Sequence, residues 1–135
     1  ILNDLKQQNT NPNTHFVGFV SKAQRAWLYS KAQALIFPQK EDFGIVPVEA
    51  QSYGCSVIAY NKGGIQDTIQ DGVHGVLFDS QTAASLNQAI NRHSKIQFDK
   101  QQVLQHAKKF SKAEFQSKIK ELVTSAYDAH KQIYS

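Results

Sequence analysis

Residues 34–54 read A-L-I-F-P-Q-K-E-D-F-G-I-V-P-V-E-A-Q-S-Y-G, and the order of residue types predicts a strand, then a loop, then a helix. Ala34 to Phe37 is a short apolar run that reads as a buried strand, stopped by Pro38, which lacks the N–H that a ladder needs. Gly44 permits a tight backbone turn, and Pro47 suits a first helical turn, where a missing N–H costs nothing. The helix is therefore expected to begin between Gly44 and Val46 and to end at Gly54, a natural C-cap. Its opening N–H groups have no intrahelical partner and carry the positive end of the macrodipole, which favours a phosphate oxygen or a polarised sugar hydroxyl. Two carboxylates bracket the turn. Glu49, about one turn into the helix, is placed to accept hydrogen bonds from vicinal ribose hydroxyls, while Glu41 on the loop faces the sugar side. The layout suits a nucleotide-sugar diphosphate held at both ends. The plainer account makes Glu41 and Asp42 loop solvation and Glu49 an ordinary acid complementing the helix dipole.

Working outward, the chain keeps alternating between the two kinds of element. Ile1 to Gln8 reads as a helix end, Asn9 to Thr14 as a loop, and His15 to Val20 as a short strand rich in β formers. Ser21 with Gln24 makes a capping box that opens a helix through Lys31. Ser56 to Tyr60 is the next strand, followed by Gly63-Gly64, a short helix to Ile69, a D-G turn at Asp71-Gly72 and a strand from Gly75 to Phe78. Four strands joined by helical crossovers predict a parallel sheet. Asp71, Gly72 and Gly75 have turn chemistry and a structural role. A glycine pair often marks only a turn, but Gly63 and Gly64 follow a parallel strand and precede a helix. They therefore fall at the strand carboxyl ends, where open α/β sheets bind ligands.

The stretch from Phe37 to Phe78, with its E-D-F-G-I-V-P-V-E core and its later G-G, resembles the donor-binding half of group 1 glycosyltransferases, retaining enzymes of the GT-B fold. The similarity covers residues 15 to 90 or so. It implies a Rossmann-like parallel sheet with flanking helices, an incomplete GT-B C-terminal domain with a helical tail. Residues 1–94 would be the nucleotide-sugar-binding part and residues 95–135 helices packing on it. By the resemblance, Glu49 matches the acid that binds ribose and Glu41 the acid that contacts the transferred sugar, the catalytic candidate. The backbone of Phe43, Gly44 and Ile45 would touch sugar and diphosphate, the Gly63-Gly64 loop would approach the same groups, and Phe19, Val20 and Ser21 match the turn that meets the base.

The variant with Asp42 directly after Glu41 and I-V-P-V directly ahead of Glu49 is most similar to bacterial mannosyltransferases that use GDP-mannose in polysaccharide or O-antigen assembly. Asp67 stands where the family commonly has Glu, and Ser56 where it usually has Pro. The donor would be a nucleotide-diphosphate sugar, with no metal and no other cofactor. The acceptor, a glycan or lipid-linked glycan, would sit on an N-terminal domain outside these residues. The family pattern begins with two strands whose Gly-rich loops carry an Arg and a Lys, so the resemblance implies a truncated or proteolysed piece, inactive alone. In the strand order 3-2-1-4-5-6 the absent strands would lie between the strand at 15–20 and the other three. Such a gap closes by altered pairing or by self-association through unpaired edges.

The 135 residues are the size of one domain and can bury a core. Their net charge of +4 is unevenly spread: residues 1–94 hold seven basic and seven acidic side chains, so the excess begins at Lys95. Ser111 with Glu114 forms a second capping box, and Phe115, Ile119, Leu122, Val123 and Ala126 recur on one helical face, with Lys108, Lys109, Lys112, Lys118 and Lys120 nearby. This is either a helix docked on the core with a solvated lysine face, or one drawn to an anionic membrane leaflet. A cytoplasmic protein with peripheral contact at the inner face of the membrane fits both the tail and the single cysteine, Cys55, which reads as a buried small residue. His15, His74, His93, His106 and His130 show no metal-ligand spacing, and there is no P-loop or G-x-G-x-x-G. Nucleic-acid binding would rest on the lysine tail alone, without aromatic interleaving, and is set aside. A phosphorylase or sugar epimerase of the same architecture is disfavoured by the length of the match around Glu41 to Gly64. A non-catalytic nucleotide-sugar-binding or assembly module stays open.

Overall fold

Three short parallel strands in the order β1-β2-β3 form the centre of the computed structural model, which describes residues 1–133. In chain order the elements are α1 (Leu2–Gln8), α2 (Lys22–Lys31), β1 (Leu35–Phe37), α3 (Ile45–Gln51), β2 (Val57–Tyr60), α4 (Ile65–Thr68), β3 (Gly75–Phe78), α5 (Ala83–His93), α6 (Lys100–Lys108) and α7 (Lys112–Ile133). The register pairs Leu35 with Val57 and Phe37 with Ala59, then Val57 with Gly75 and Ile58 with Val76.

Side chains alternate across a strand, so each face of the sheet builds its own core. Phe37, Val57 and Ala59 pack with Ile65 and Ile69 on one face, and Ile58, Val76 and Phe78 pack with Ala89 of α5 on the other. Helix α6 lies against α3 and buries Val103 and Ala107. Cys55 is buried and unpaired, as expected.

The local signals hold well. Ser21 and Gln24 form a complete capping box at the start of α2. Helix α3 starts at Ile45 with Gly44 as its N-cap. It leaves through Gly54, which adopts φ 76° while its N–H reaches Gln51 O at 2.9 Å and the Cys55 N–H reaches Ala50 O at 3.2 Å. That pair of bonds is a Schellman closure, for which glycine is the natural residue.

Two expectations fail. Residues 15–20 are not a strand, and Phe19 is 97% exposed. A strand exists only with a partner to complete its ladder, and no described strand lies beside this segment; β-forming composition cannot supply one. The sheet therefore has three strands among the described residues, not four, and no gap interrupts it; β1 is simply an edge.

Helix α7 is likewise not docked on the core. Ser111 caps it through the Glu114 N–H, yet Phe115 and Leu122 are 64% and 65% exposed. Phe115, Ile119 and Leu122 of α7 line only an open groove with Phe43 and Phe110, and the rest of the stripe stays in solvent.

Candidate functional site

The loops after β1 and β2 interlock at the carboxyl end of the sheet. Glu41 and Gly63 form an isolated parallel bridge, and the Gly64 N–H donates to Glu41 O at 2.9 Å. The approach is too close for side chains. A Cβ on Gly63 would lie 3.2 Å from the Glu41 carbonyl carbon, and one on Gly64 would lie 2.6 Å from that of Asp42 and 2.5 Å from Phe43 Cα. Gly63 also takes φ 72°. The glycine pair is thus demanded by the passage of the 41–43 backbone, and it brings Glu41, Phe43, Gly63 and Gly64 together as the sequence predicted.

Gly44 completes the turn in the left-handed region, φ 83° and ψ 60°, with Ile65 Cδ1 only 2.9 Å from where its Cβ would be. No side chain caps α3, and its first turn contains Pro47, so the Ile45 and Val46 N–H groups are left to an outside acceptor. Glu41 is exposed and accepts from Gln39 Nε2 at 2.7 Å. Phe43 is half exposed and meets the edge of Phe110, centroids 5.8 Å apart.

Glu49 is held from a direction that sequence reasoning missed. Arg25 of α2 donates from Nε to Oε1 at 3.0 Å, and its Nη2 forms an ion-pair contact with the same oxygen at 2.8 Å. The carboxylate side chain is 27% exposed and the guanidinium 42%. Tyr29, one turn beyond Arg25, stacks on Tyr53, and its hydroxyl pKa is raised by burial and then by the Glu49 charge. The i, i+4 spacing of Arg25 and Tyr29 was legible as one helix face, but nothing in the sequence said that this face meets α3. Ser21 reaches the same place indirectly: it caps α2, and its carbonyl accepts the Arg25 N–H at 2.9 Å. Phe19 and Val20 are on the loop ahead of it. Among the described residues, no hydrogen bond or ring contact ties those two to Glu41 or to the glycine turn.

Behind the turn runs a buried polar chain that the sequence did not announce. Gln51, fully buried in α3, donates to Pro47 O at 3.3 Å and Thr68 O at 3.1 Å, and its Oε1 is without a partner among the described residues. Thr68 O also takes His106 Nε2 at 3.0 Å. His106 stacks on His74, centroids 3.7 Å apart, and meets Phe110 edge-on. Burial, then His106, then Lys109 push the His74 pKa down to about 4, and burial foremost lowers that of His106. Phe110 thus links this chain to Phe43 at the 41–44 turn.

With this geometry in place, the likeness to known proteins decides the family. Residues 2–122 match the family described as glycosyl transferases group 1. The chain belongs to that family. Among curated relatives of this group 1 chain, the glycogen synthase of Thermodesulfovibrio yellowstonii is 32% identical over 111 residues, 80% of this chain and 22% of the relative. A protein from the cps region of Klebsiella pneumoniae is 29% identical over 94 residues, 69% of this chain and 26% of the relative. Among solved structures, the sucrose-phosphate synthase of Thermosynechococcus elongatus superposes with a TM-score of 0.72 at 28% identity, covering 95% of this chain and 34% of that one. Anabaena HepE, solved in complex with UDP and glucose, gives 0.70 at 25% identity, covering 92% of this chain and 36% of that one. The chain spans about a fifth to a third of these proteins' lengths and corresponds to part of a GT-B enzyme.

Proposed function

We propose that this chain is the donor-binding part of a retaining glycosyltransferase that moves a hexosyl group from a nucleotide-diphosphate sugar to a glycan or lipid-linked acceptor. The observation that carries the reading is the interlock of the 41–44 and 63–64 turns. It brings Glu41 against Gly63 and Gly64 just ahead of the uncapped start of α3, the helix that carries Glu49, which supports a ligand path at the carboxyl ends of the strands. In the proposed division of roles, Glu41 orients the sugar and Glu49 receives the ribose. The Phe43, Gly44 and Ile45 backbone meets the charge developing on the leaving diphosphate, Gly63 and Gly64 line the same crevice, and Phe19, Val20 and Ser21 meet the base. Retaining transfer places the donor's own phosphate near the acceptor hydroxyl, so the protein chiefly positions groups and stabilises charge.

For the sugar, glucose is favoured by the glycogen synthase and sucrose-phosphate synthase relatives and by the UDP and glucose seen with HepE. Mannose from GDP-mannose is the reading that Asp42 and the I-V-P-V stretch suggest; no relative described above carries it. Residues 1–94 act as the nucleotide-sugar-binding part and residues 95–135 as its helical tail, the acceptor domain lying elsewhere in the full-length protein. The isolated chain is expected to be inactive. No described helix is long and apolar enough to cross a membrane. The exposed stripe of α7 beside its lysines supports a peripheral contact with an anionic leaflet, at the inner face of the membrane for a cytoplasmic protein, and the β1 edge supports self-association of the isolated chain.

Calorimetric titration of the full-length gene product with UDP-glucose, ADP-glucose, GDP-mannose and the free nucleotides, with donor hydrolysis followed in parallel, tests the proposal. Binding and slow hydrolysis of one donor is the expected result and names its sugar. Binding without hydrolysis, even with acceptor glycans present, would leave a non-catalytic module. Binding of none would overturn the donor-site reading.

A further inference from the structure

The Arg25–Glu49 pair is unusual in how it divides the carboxylate. The Nε hydrogen bond, at 3.0 Å, and the Nη2 ion-pair contact, at 2.8 Å, both fall on Oε1, and Oε2 accepts no hydrogen bond from Arg25. A pair built only to tie two helices together would gain most from the parallel fork, one bond to each oxygen. It would also contribute little here, because the guanidinium is 42% exposed and solvent screens such pairs. What the observed geometry does instead is tether one carboxylate oxygen and leave the other open to a further donor. Glu49 sits past the first turn of α3 with a side chain that rotates about three bonds. Anchoring one oxygen restricts that rotation and leaves the lone pairs of the other free of Arg25. Arg25 is itself set by the Ser21–Gln24 capping box, since its N–H is bonded to Ser21 O at 2.9 Å. Tyr29 packs one turn further along the same face, with its hydroxyl held protonated by burial and by the Glu49 charge.

We propose that Arg25 is a positioning residue for Glu49, holding Oε1 so that Oε2 is presented to the ribose hydroxyls of a nucleoside diphosphate. The proposal rests on the reading of Glu49 as the ribose-binding acid. It adds that donor recognition at this site is set from α2, an element outside the loop and helix that carry both acids. Because Arg25 acts through another side chain, its loss weakens a particular pair of bonds to the ligand and leaves the rest of the ligand's contacts in place.

The test measures how much binding depends on the ribose 2′-hydroxyl. The full-length protein and its Arg25→Met, Arg25→Lys and Glu49→Gln variants are titrated with UDP, ADP and GDP, and with the 2′-deoxy form of whichever binds. In the unmodified protein, removing the hydroxyl is expected to weaken binding about tenfold, as befits a hydrogen bond to an ionised group. Arg25→Met keeps the apolar stem, and should bind the ribonucleotide about tenfold more weakly while binding the deoxynucleotide nearly as before, so the 2′-hydroxyl dependence collapses. Arg25→Lys, a single ammonium that can reach Oε1, should restore part of that dependence. A merely structural Arg25 would weaken both nucleotides equally and leave their ratio unchanged, which would overturn the proposal. Should Arg25→Met fold poorly, the same ratio measured in Arg25→Lys decides: an undiminished tenfold preference refutes the positioning role, and an intermediate one supports it. If Glu49→Gln keeps the whole preference, the ribose reading of Glu49 is what fails. If none of the three nucleoside diphosphates binds, both fall together.

Discussion

Gly64→Ala is the sharpest test of the interlocked turns, because it adds one methyl group and nothing else. Gly64 has φ −66° and ψ −6°, a conformation any residue adopts, so the substitution carries no backbone penalty. The cost is contact. The new Cβ would lie 2.5 Å from Phe43 Cα and 2.6 Å from the Asp42 carbonyl carbon, where ordinary carbon contacts begin near ~3.5 Å. The 41–43 loop must therefore retreat by about 1 Å, with an overpacking cost of about 1–3 kcal/mol. A displacement of about 1 Å at a reacting centre can lower turnover about a hundredfold. Gly72→Ala is the matched control: its φ of 76° imposes a conformational penalty of about 1 kcal/mol, but nothing lies within 4 Å of the added methyl. Urea melts and donor titrations of both variants separate the two effects. Gly64→Ala should lose stability and sugar-nucleotide affinity together, whereas Gly72→Ala should lose only stability. A Gly64→Ala protein with unchanged donor affinity would refute the claim that the glycine pair shapes the site.

Three further outcomes are expected. Glu49→Ala should weaken nucleoside diphosphates with or without sugar by about tenfold, while Glu41→Ala should chiefly weaken the sugar nucleotide; equal effects in calorimetry would break the division of roles. His74, held to about pH 4 in the fold against 6.5 in the unfolded chain, binds fewer protons when native across that window. Stability should therefore be full above pH 6.5, fall by roughly 2–3 kcal/mol as the pH drops toward 4, and level off below, a slope that His74→Gln should flatten in urea melts at stepped pH. Ser56→Ala should cost about 1–2 kcal/mol by thermal or urea melting, since the Ser56 hydroxyl bonds both Gln33 O at 3.1 Å and His93 Nε2 at 2.7 Å in a part-buried setting.

The candidate site was legible in parts. Glu41, Phe43, Gly44 and Ile45 were placed by a proline, a glycine and a strand-to-helix switch that lie within a dozen residues of one another. The glycine pair was found by its position between a strand and a helix, although the steric reason for it, the crossing Asp42–Phe43 backbone, appeared only in three dimensions. Arg25 was invisible as a partner of Glu49, since 24 residues separate them and neither sits in a motif that names the other. The same holds for His74 and His106, which the fold stacks on one another although nothing in the sequence pairs them.

By itself the sequence determined what depends on neighbours along the chain. That includes the capping box at Ser21, the Schellman closure at Gly54, the start of α3 at Gly44 and the strand from Gly75 to Phe78. These follow from allowed backbone angles, side-chain caps and periodicity, all of which act over a few residues. Only the tertiary structure decided which segments found partners. The β-forming segment at 15–20 remained unpaired, the stripe of α7 remained exposed, and Glu49 was claimed on one oxygen by a helix far behind it in the chain. A ladder, a buried face and an ion pair each need a second surface, and no residue can encode where in space its partner will be.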